Sequence, residues 1–334
     1  MVKNKIVLSI VIPARNSEKT IGKLLLSINN SNFKNFNRIE AAVVDDYSED
    51  GTKKIVRQNA AKMKFPLQLL LQNKQRGPGA ARNKGAKAAK GKYLFFLDSD
   101  TQLKKNTLQI AFDLVKKNNI KAFTGIWDCH QETTKFFPQF KAFRDWSYWL
   151  FERQQNSRYY LFSTRVAGID KKLFFRIGGF DENYSQLEDF DLTYRIEKIA
   201  PIKFCPELQV FHEFEDFWPI AKKYFKRSHV WAKLYLKRYK FDPVATSQKE
   251  AVKAITASAI LFFILTGIFW PGLLLIALIL FIIYSHLEWQ FWLFLLEKKG
   301  WRYLFQAIPV SIVLYVIIML GAGWGIVTSE SSPG

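Results

Sequence analysis

Two long stretches near the end of the chain carry no charged side chain, residues 254–284 and residues 303–329. Lipid offers the backbone no hydrogen-bond partner, so runs of this kind fold as membrane-spanning helices. One helix over the first stretch would be about 46 Å long, which exceeds a hydrocarbon core of about 30 Å. Because Trp270-Pro271-Gly272 interrupts this stretch, we expect a hairpin of two short crossings, with a single tilted crossing as the alternative.

A basic segment separates the two stretches and sets the expected orientation. Such a hairpin returns Lys298, Lys299 and Arg302 to the side that carries the basic N-terminal part of the chain. Positive residues favour the cytoplasmic side of a membrane. The sequence therefore predicts a multi-pass protein of the inner or cell membrane whose N-terminal domain is cytoplasmic. The membrane region is expected at residues 252–329, with helices at 252–270, 272–286 and 303–327.

The composition of the whole chain indicates a folded N-terminal domain and an anionic partner. Of the 334 residues, 49% are hydrophobic, which excludes a disordered chain, and the formal net charge is +20. Nucleic acid, an anionic membrane leaflet and phosphorylated substrates are the partner classes that this charge allows. Two cysteines are too few for a disulfide framework, and no apolar stretch of signal-peptide length precedes Pro13. We therefore expect this domain to stay in the reducing cytoplasm.

Strand-like and helix-like segments alternate over the first hundred residues. Acidic or glycine-rich turns follow the strands, which is typical of a parallel α/β sheet that binds a nucleotide. The dinucleotide-binding and P-loop glycine patterns are both missing from these turns, so a Rossmann dehydrogenase and a P-loop NTPase are disfavoured. The predicted strands are Leu8–Ile12, Ile39–Val44, Leu67–Leu71 and Tyr93–Leu97.

Two carboxylates follow the most apolar of these strands. Tyr93–Leu97 has no polar residue, which indicates a strand buried on both faces, and Asp98 and Asp100 come directly after it. Alternate residues of an extended segment share a face, so both carboxylates can reach one divalent cation. An ordinary acidic turn is the alternative for an isolated pair of this kind.

Four segments in this order carry a family resemblance. They are Ser9–Asn16, Val43–Thr52, Gly79–Gly85 and Leu97–Thr101. By these segments the chain resembles the family 2 glycosyltransferases with the GT-A fold. The resemblance implies a doubly wound mixed α/β sheet in a cytoplasmic domain at residues 1–245, followed by the α-helical membrane region. Residues 1–101 would be the nucleotide-binding half and residues 102–220 the acceptor half.

The same resemblance implies a nucleoside-diphosphate sugar as donor. It assigns Asp98 and Asp100 to a Mg²⁺ or Mn²⁺ ion on the diphosphate, and such an ion stabilises the negative charge of the leaving group without any proton transfer. The residues implied around the nucleotide are Pro13, Arg15, Asp45, Asp46, Arg82 and Asp98. Without the other segments, the acidic turn after residue 44 and the arginines would be an ordinary helix cap and surface charges.

An acidic segment supplies the candidate catalytic residues. Gln186–Arg195 resembles the family signature E-D-x-[DE]-L-x-x-R. A direct transfer needs a carboxylate that takes the proton of the acceptor hydroxyl, and Asp189 is the candidate for this general base, with Glu188 positioning the acceptor. A helix N-cap is the alternative for Asp189. Asp191 and Arg195 are four residues apart, so a helix-surface ion pair is the simpler explanation for them.

Two further segments are assigned by resemblance to the acceptor or the diphosphate. The stretch 164–182 resembles the family segment under the donor sugar, which makes Gly168 and Gly179 candidates for this contact. His212 ends a predicted strand, where the family often has a histidine near the metal or diphosphate. A structural histidine is the alternative.

A basic and aromatic segment precedes the membrane region. Residues 222–240 contain eight basic residues, five aromatic residues and no acidic residue, and we expect an amphipathic helix region at 217–245 that lies on an anionic leaflet. Arg227 and His229 are candidates for holding a phosphate of the acceptor or the leaving diphosphate. Nucleic-acid binding is the competing explanation, and the membrane stretches disfavour it.

Together these features predict a membrane-associated inverting glycosyltransferase. It would move a sugar from a nucleoside-diphosphate sugar to a lipid or a lipid-linked glycan in the synthesis of cell-envelope glycans or glycolipids. A polyprenyl-phosphate glycosyltransferase is the first alternative. A processive polysaccharide synthase, whose Gln-x-x-Arg-Trp motif is missing from residues 222–240, and a non-catalytic membrane scaffold are the others. The donor base, the sugar and the oligomeric state stay open.

Overall fold

The computed structural model describes residues 5–117, 119–152, 161–184, 187–239 and 247–328. The chain divides into two compact units, one with residues 1–132 and 154–213 and one with residues 133–153 and 214–334. We call them the sheet unit and the helical unit. Residues 133–153 and 214–239 thus group with the C-terminal helices, although the sequence analysis assigned them to the N-terminal domain. Gln186, Lys240 and Ser329, each an end of a predicted segment, lie outside the described residues.

The sheet unit is built on one eight-stranded sheet with the order β3-β2-β1-β4-β7-β6-β8-β5. β7 is antiparallel to β4 and β6, and β5 is antiparallel to β8, while the other neighbours are parallel. The sheet is therefore mixed, as the family resemblance implied. The strands are β1 (Leu8–Ala14), β2 (Ile39–Asp45), β3 (Leu67–Leu71), β4 (Tyr93–Leu97), β5 (Thr101–Leu103), β6 (Ala122–Trp127), β7 (Val166–Asp170) and β8 (Ile202–His212).

Helices connect the strands and form most of the described part of the helical unit. In the sheet unit they are α1 (Ile21–Asn29), α2 (Thr52–Ala60), α3 (Pro78–Ala88), α4 (Thr107–Lys116), α6 (Lys171–Arg176) and α7 (Glu188–Glu197). In the helical unit they are α5 (Phe136–Ser147), α8 (Phe217–Arg238), α9 (Gln248–Gly267), α10 (Leu273–Lys299) and α11 (Trp301–Val327).

The core of the sheet unit is centred on β4. All five of its residues are fully buried, as predicted for a strand covered on both faces. On one face, the ring of Phe96 lies 5.6 Å from that of Phe174 and 5.5 Å from that of Phe180. On α3, a side-chain carbon at Gly85 would come within 2.5 Å of Cγ1 of Val11. Close packing of α3 on β1 therefore requires glycine here.

The topology brings several strand ends to one edge of the sheet. β1, β2, β4, β6 and β8 run in the same direction, so their carboxyl ends meet there, and the antiparallel β7 begins there. We call this the carboxyl edge. In open α/β sheets, ligands bind outside the carboxyl ends of the strands.

Three helices of the helical unit, α9, α10 and α11, are long and apolar enough to cross a membrane by length and composition. Two separate helices lie on either side of Trp270-Pro271-Gly272, as the hairpin prediction requires. α10 continues to Lys299, well beyond the predicted end of the second crossing at residue 286. The prediction stopped there because a charged residue, Glu288, follows.

Glu288 belongs to a group of buried polar side chains from four helices. Its carboxylate lies 2.8 Å from Nζ of Lys253 and 3.1 Å from Nη1 of Arg144. Lys253 also pairs with Glu250 at 2.9 Å. The hydroxyl of Tyr315 donates to Glu250 at 2.9 Å, and Lys253, Glu288 and Tyr315 are each at most 1% exposed. We call these five residues the buried charge cluster, which contains two cations and two carboxylates.

The basic segment forms α8, and one face of this helix packs on α11. A side-chain carbon at Gly321 would lie 2.4 Å from the carbonyl oxygen of Phe225, and one at Gly325 would lie 2.4 Å from that of His229. These two glycines allow the backbones to approach. Lys222, Lys223, Lys226 and Arg227 are exposed on α8. Their contact with an anionic leaflet stays a prediction.

Candidate active site

The acidic residues after β2 lie at the carboxyl edge and differ in their surroundings. Both Oδ atoms of Asp46 are occupied, since Oδ1 accepts from Gln72 at 2.9 Å and from the backbone N of Arg76 at 2.8 Å, and Oδ2 accepts from that of Gly77 at 2.9 Å. Oδ2 of Asp45 accepts from the backbone N of Ser48 at 3.1 Å. Oδ1 of Asp45 is buried and has no hydrogen-bond partner within the described residues. Asp46 therefore holds the loop before α3 in place, whereas one oxygen of Asp45 could still accept a hydrogen bond from a ligand.

Pro13 and Arg15 flank the end of β1. Pro13 is buried inside the strand, opposite Val44 of β2. Arg15 follows the strand and is exposed at the same edge. Of these two predicted nucleotide contacts, Arg15 is thus the one with an accessible side chain.

Arg82 of α3 forms ion pairs with Asp98, which follows β4, and with Glu188, which begins α7. Its Nη2 lies 2.7 Å from Oδ1 of Asp98, and its Nη1 lies 2.9 Å from Oε1 of Glu188. The guanidinium is 3% exposed and sits 5.4 Å from the ring centroid of Phe180. Burial alone would lower the pKa of Arg82, but the two carboxylates raise it above its ordinary value. Arg82 is therefore a permanent cation that fixes both acids.

Asp100 lies beside His212, as the pairing of Thr101 with His212 between β5 and β8 requires. Nε2 of His212 is 3.4 Å from Oδ2 of Asp100, whose side chain is 50% exposed. Desolvation would raise the pKa of Asp100, but the hydrogen bond and charge of His212 and the charge of Arg165 lower it to about 2. The carboxylate is thus ionised at every physiological pH.

These side chains fit a divalent ion that is shared with a substrate. Carboxylate oxygens of Asp98 and Asp100 and a ring nitrogen of His212 are ligands that Mn²⁺ accepts, and Mg²⁺ is often held by one or two carboxylates and substrate phosphates. One oxygen of Asp98 is already on Arg82, so its other oxygen and the half-exposed carboxylate of Asp100 would contribute, beside the mostly buried ring of His212.

A second group of side chains could bind a metal ion, but contacts within the protein account for its arrangement. In the described part of the chain, Asp128, Cys129 and His130 place their ligand atoms within 4.8 Å of one another. Asp128 is ion-paired with Lys104 and accepts from His130. These contacts hold the turn after β6 together without an ion.

Glu188 and Asp189 begin α7. The N-cap of this helix is Leu187, which has a left-handed backbone with φ of 70°, so the interpretation of Asp189 as the N-cap is wrong. Glu188 is buried against Arg82, whereas Asp189 is half-buried and its Oδ1 accepts from the backbone N of Phe190 at 3.0 Å. Successive residues of a helix lie about 100° apart around its axis, so these neighbouring acids point in different directions.

Asp191 and Arg195 form the ion pair that their spacing predicted. Nε of Arg195 lies 3.0 Å from Oδ2 of Asp191. Nη1 of Arg195 also donates to the carbonyl oxygen of Gly179 at 2.6 Å. Gly179 has φ of 68°, which favours glycine, and this contact ties its turn to α7.

The other predicted contact residues are Gly168 in the sheet unit and Arg227 and His229 in the helical unit. Gly168 is in the middle of β7, where a side-chain carbon would come within 2.1 Å of Cζ of Phe123. This packing is sufficient reason for the glycine. Arg227 and His229 belong to the helical unit, and Nδ1 of His229 is buried without a hydrogen-bond partner among the described residues. Their contact with an acceptor or diphosphate stays a prediction.

Comparison with known proteins relates this arrangement to a family. Residues 9–174 match the family described as Glycosyl transferase family 2. The poly(ribitol-phosphate) beta-N-acetylglucosaminyltransferase TarS of Staphylococcus aureus is 36% identical over 111 residues, which is 33% of this chain and 19% of TarS. An Escherichia coli glucosyltransferase, WfgD, that acts on a GlcNAc-diphosphoundecaprenol is 32% identical over 121 residues, which is 36% of this chain and 45% of WfgD. The chain thus spans less than half the length of either relative.

Solved structures agree on the fold. The mannosyltransferase PcManGT from Pyrobaculum calidifontis, in complex with GDP-mannose and Mn²⁺, superimposes with a TM-score of 0.59 at 15% identity over 96% of this chain and 86% of that one. TarS residues 1–349 with UDP-GlcNAc give a TM-score of 0.52 at 20% identity over 93% of this chain and 89% of that one. The strand order and these matches lead to one conclusion: the chain has the fold of these glycosyltransferases, and its residues 9–174 form a domain of glycosyltransferase family 2.

Proposed function

We propose that the chain is a membrane-associated inverting glycosyltransferase that moves a sugar from a nucleoside-diphosphate sugar to a lipid or lipid-linked glycan in cell-envelope glycan or glycolipid synthesis. The observation that carries this proposal is the joining of Asp98 to Glu188 through Arg82. This link holds a donor-side acid next to the segment that contains Asp189. The long apolar helices and the diphosphoundecaprenol acceptor of WfgD support a lipid-linked acceptor. The preference of basic residues for the cytoplasmic side supports a cytoplasmic sheet unit.

The buried oxygen of Asp45 that has no partner among the described residues favours particular donor bases. A buried carboxylate oxygen without a partner is costly, and an N–H donor from a ligand removes the cost. Uracil and thymine offer a ring N–H, and guanine offers a ring N–H with an adjacent amino group. Cytosine has no ring N–H. UDP, dTDP and GDP sugars are therefore the preferred donors over CMP sugars.

Asp45→Asn should weaken nucleotide binding about 10–100-fold, because a hydrogen bond to a charged acceptor contributes about 1.5–3 kcal/mol. Isothermal titration with UDP and GDP in the presence of Mn²⁺ measures the change. Asp113→Asn is the control, since this residue is half exposed on α4, in an i,i+3 pair with Lys116. Equal affinity in Asp45→Asn and the control would remove Asp45 from the base site.

Each residue at the carboxyl edge has a separate part in the proposed transfer. When bound, Mg²⁺ or Mn²⁺ supplies positive charge that stabilises the leaving diphosphate. Asp100 and His212, with the second oxygen of Asp98, would hold it. Asp189 takes the proton of an acceptor hydroxyl as that oxygen attacks the anomeric carbon from the side opposite the diphosphate, which inverts the configuration.

The first experiment is thermal stabilisation of the detergent-solubilised protein by UDP, GDP, dTDP and CMP, each with and without Mn²⁺. A ligand that binds only the folded state raises the melting temperature. We expect stabilisation by a nucleoside diphosphate that requires Mn²⁺ and is lost in Asp100→Ala. Asp113→Ala should keep it.

Two results would contradict the proposal. If no nucleotide changes the melting temperature under either condition, the non-catalytic scaffold becomes the better hypothesis. If Asp100→Ala keeps the full effect of Mn²⁺, the ion does not bind at Asp100.

A further inference from the structure

A second arginine, Arg165, lies at the carboxyl edge next to the acidic residues. β7 is antiparallel to β4, with Val166 opposite Leu97. Arg165 precedes Val166 and Asp98 follows Leu97, so the two residues are level with each other just beyond the ladder. The sequence analysis gave Arg165 no role.

The side chain of Arg165 is held by an aromatic ring. Its guanidinium carbon lies 4.9 Å from the ring centroid of Trp127, the last residue of β6, and this indole is 3% exposed. A guanidinium stacked on an aromatic face keeps its N–H groups directed outward in the ring plane. The contact with Trp127 therefore restrains the guanidinium of Arg165 without using its N–H donors.

The N–H groups of Arg165 donate no hydrogen bond to another described residue. Arg82, by comparison, uses its terminal nitrogens on Asp98 and Glu188. Arg165 acts on Asp100 through its charge, which is one of the causes of the low pKa of that carboxyl. An oriented, half-buried guanidinium with free donors is suited to a planar or tetrahedral oxyanion, and phosphate is the anion that a glycosyltransferase of this kind handles.

We propose that Arg165 binds a phosphate group of a substrate at the carboxyl edge. This inference rests on the proposed function and deepens it. The phosphate belongs either to the donor diphosphate or to a phosphorylated lipid acceptor, which share the same chemistry. A role limited to balancing the charge of Asp100 is the competing explanation. Loss of that positive charge would leave Asp100 more strongly attracted to the ion, so this explanation predicts unchanged or tighter binding of a diphosphate, and not weaker binding.

The number of phosphates is therefore the variable in the test. UDP, UMP and uridine, and GDP, GMP and guanosine, are titrated by calorimetry with Mn²⁺ into the unaltered chain, Arg165→Met and Arg165→Lys. Methionine keeps the apolar stem, and lysine keeps the charge without the planar fork. Arg176→Met is the matched control, since Arg176 is exposed on α6 beyond the opposite end of β7.

We expect Arg165→Met to lose about 10–100-fold in affinity for the nucleoside diphosphate and almost nothing for the nucleoside. Arg165→Lys should recover part of the loss, and the control should match the unaltered chain. If the diphosphate series is unchanged, a raised KM for a polyprenyl-phosphate acceptor at constant kcat assigns the phosphate to the acceptor instead.

Two outcomes overturn the inference in distinguishable ways. If Arg165→Met changes neither the phosphate dependence nor the acceptor KM, Arg165 binds no substrate phosphate although the proposed function survives. If the unaltered chain binds neither nucleotide series, the proposed function fails, and the assignment of Arg165 fails with it.

Discussion

Asp189→Asn is expected to lower the rate of transfer to a sugar hydroxyl by about 10²–10⁴-fold, the usual contribution of a positioned general base. Asparagine has the same shape and keeps an oxygen that can accept from the backbone N of Phe190, as Oδ1 of Asp189 does at 3.0 Å. The fold should therefore be retained, and the loss should appear in kcat. Steady-state kinetics with a hydroxyl acceptor measures it.

A matched control comes from the same helix. Glu197→Gln removes a carboxylate at the other end of α7, and the rate should stay within about twofold of the unaltered enzyme. Melting temperatures of both variants establish that they are folded. If Glu197→Gln is as slow as Asp189→Asn, loss of either carboxylate from α7 lowers the transfer rate. That result would contradict a specific role of Asp189 as the general base.

The same variant separates two classes of acceptor. The acceptor oxygen of a polyprenyl phosphate is already ionised at neutral pH, so no base is needed, and Asp189→Asn should keep most of its activity on such a substrate. A sugar hydroxyl must lose its proton during transfer. Full activity of Asp189→Asn on a hydroxyl acceptor would remove Asp189 from the mechanism altogether.

Local sequence pattern was sufficient for the first strands of the fold. β3 and β4 have the predicted bounds, and β1 and β2 extend the predicted strands by one or two residues. Continuous apolar runs bounded by turn residues determine these strands. The position of β7 between β4 and β6 was not predictable, because the pairing of Leu97 with Val166 joins residues far apart in the chain.

The candidate site likewise combines residues that local motifs predict with contacts that only the folded chain brings together. Motif resemblance singled out Asp45, Asp46 and Asp98, but it treated the first two alike. Asp46 differs from Asp45 because it accepts hydrogen bonds from Gln72 and from backbone N–H groups of the loop before α3. The contacts of Arg82 likewise depend on the folded sheet unit.

The length of α10 could not be predicted for a related reason. A charged residue in an apolar run is normally taken as the end of a membrane helix. Glu288 instead lies inside the helix, since Lys253 and Arg144 neutralise it. Arg144 comes from α5, well before the three long apolar helices, and no local sequence pattern predicts this partner.

Glu288→Ala is accordingly expected to destabilise the helical unit by about 3–5 kcal/mol, the cost of removing one partner from a buried ion pair. Lys253 and Arg144 would then be buried together with Glu250 as the only remaining carboxylate of the buried charge cluster. Denaturant or thermal unfolding in detergent measures the loss. Glu297→Ala, whose side chain is 69% exposed two turns further along α10, should change stability by less than about 0.5 kcal/mol.

A double variant that removes one charge of each sign tests whether charge imbalance causes the loss of stability in Glu288→Ala. Hydrogen bonds between membrane helices average only about 0.6 kcal/mol, so a loss of contacts alone would be small. Replacing both members of a buried pair by apolar residues is often neutral or stabilising. Lys253→Met combined with Glu288→Leu should therefore be more stable than Glu288→Ala. If the double variant is instead less stable than Glu288→Ala, the cluster stabilises these helices through its specific contacts and not through charge balance.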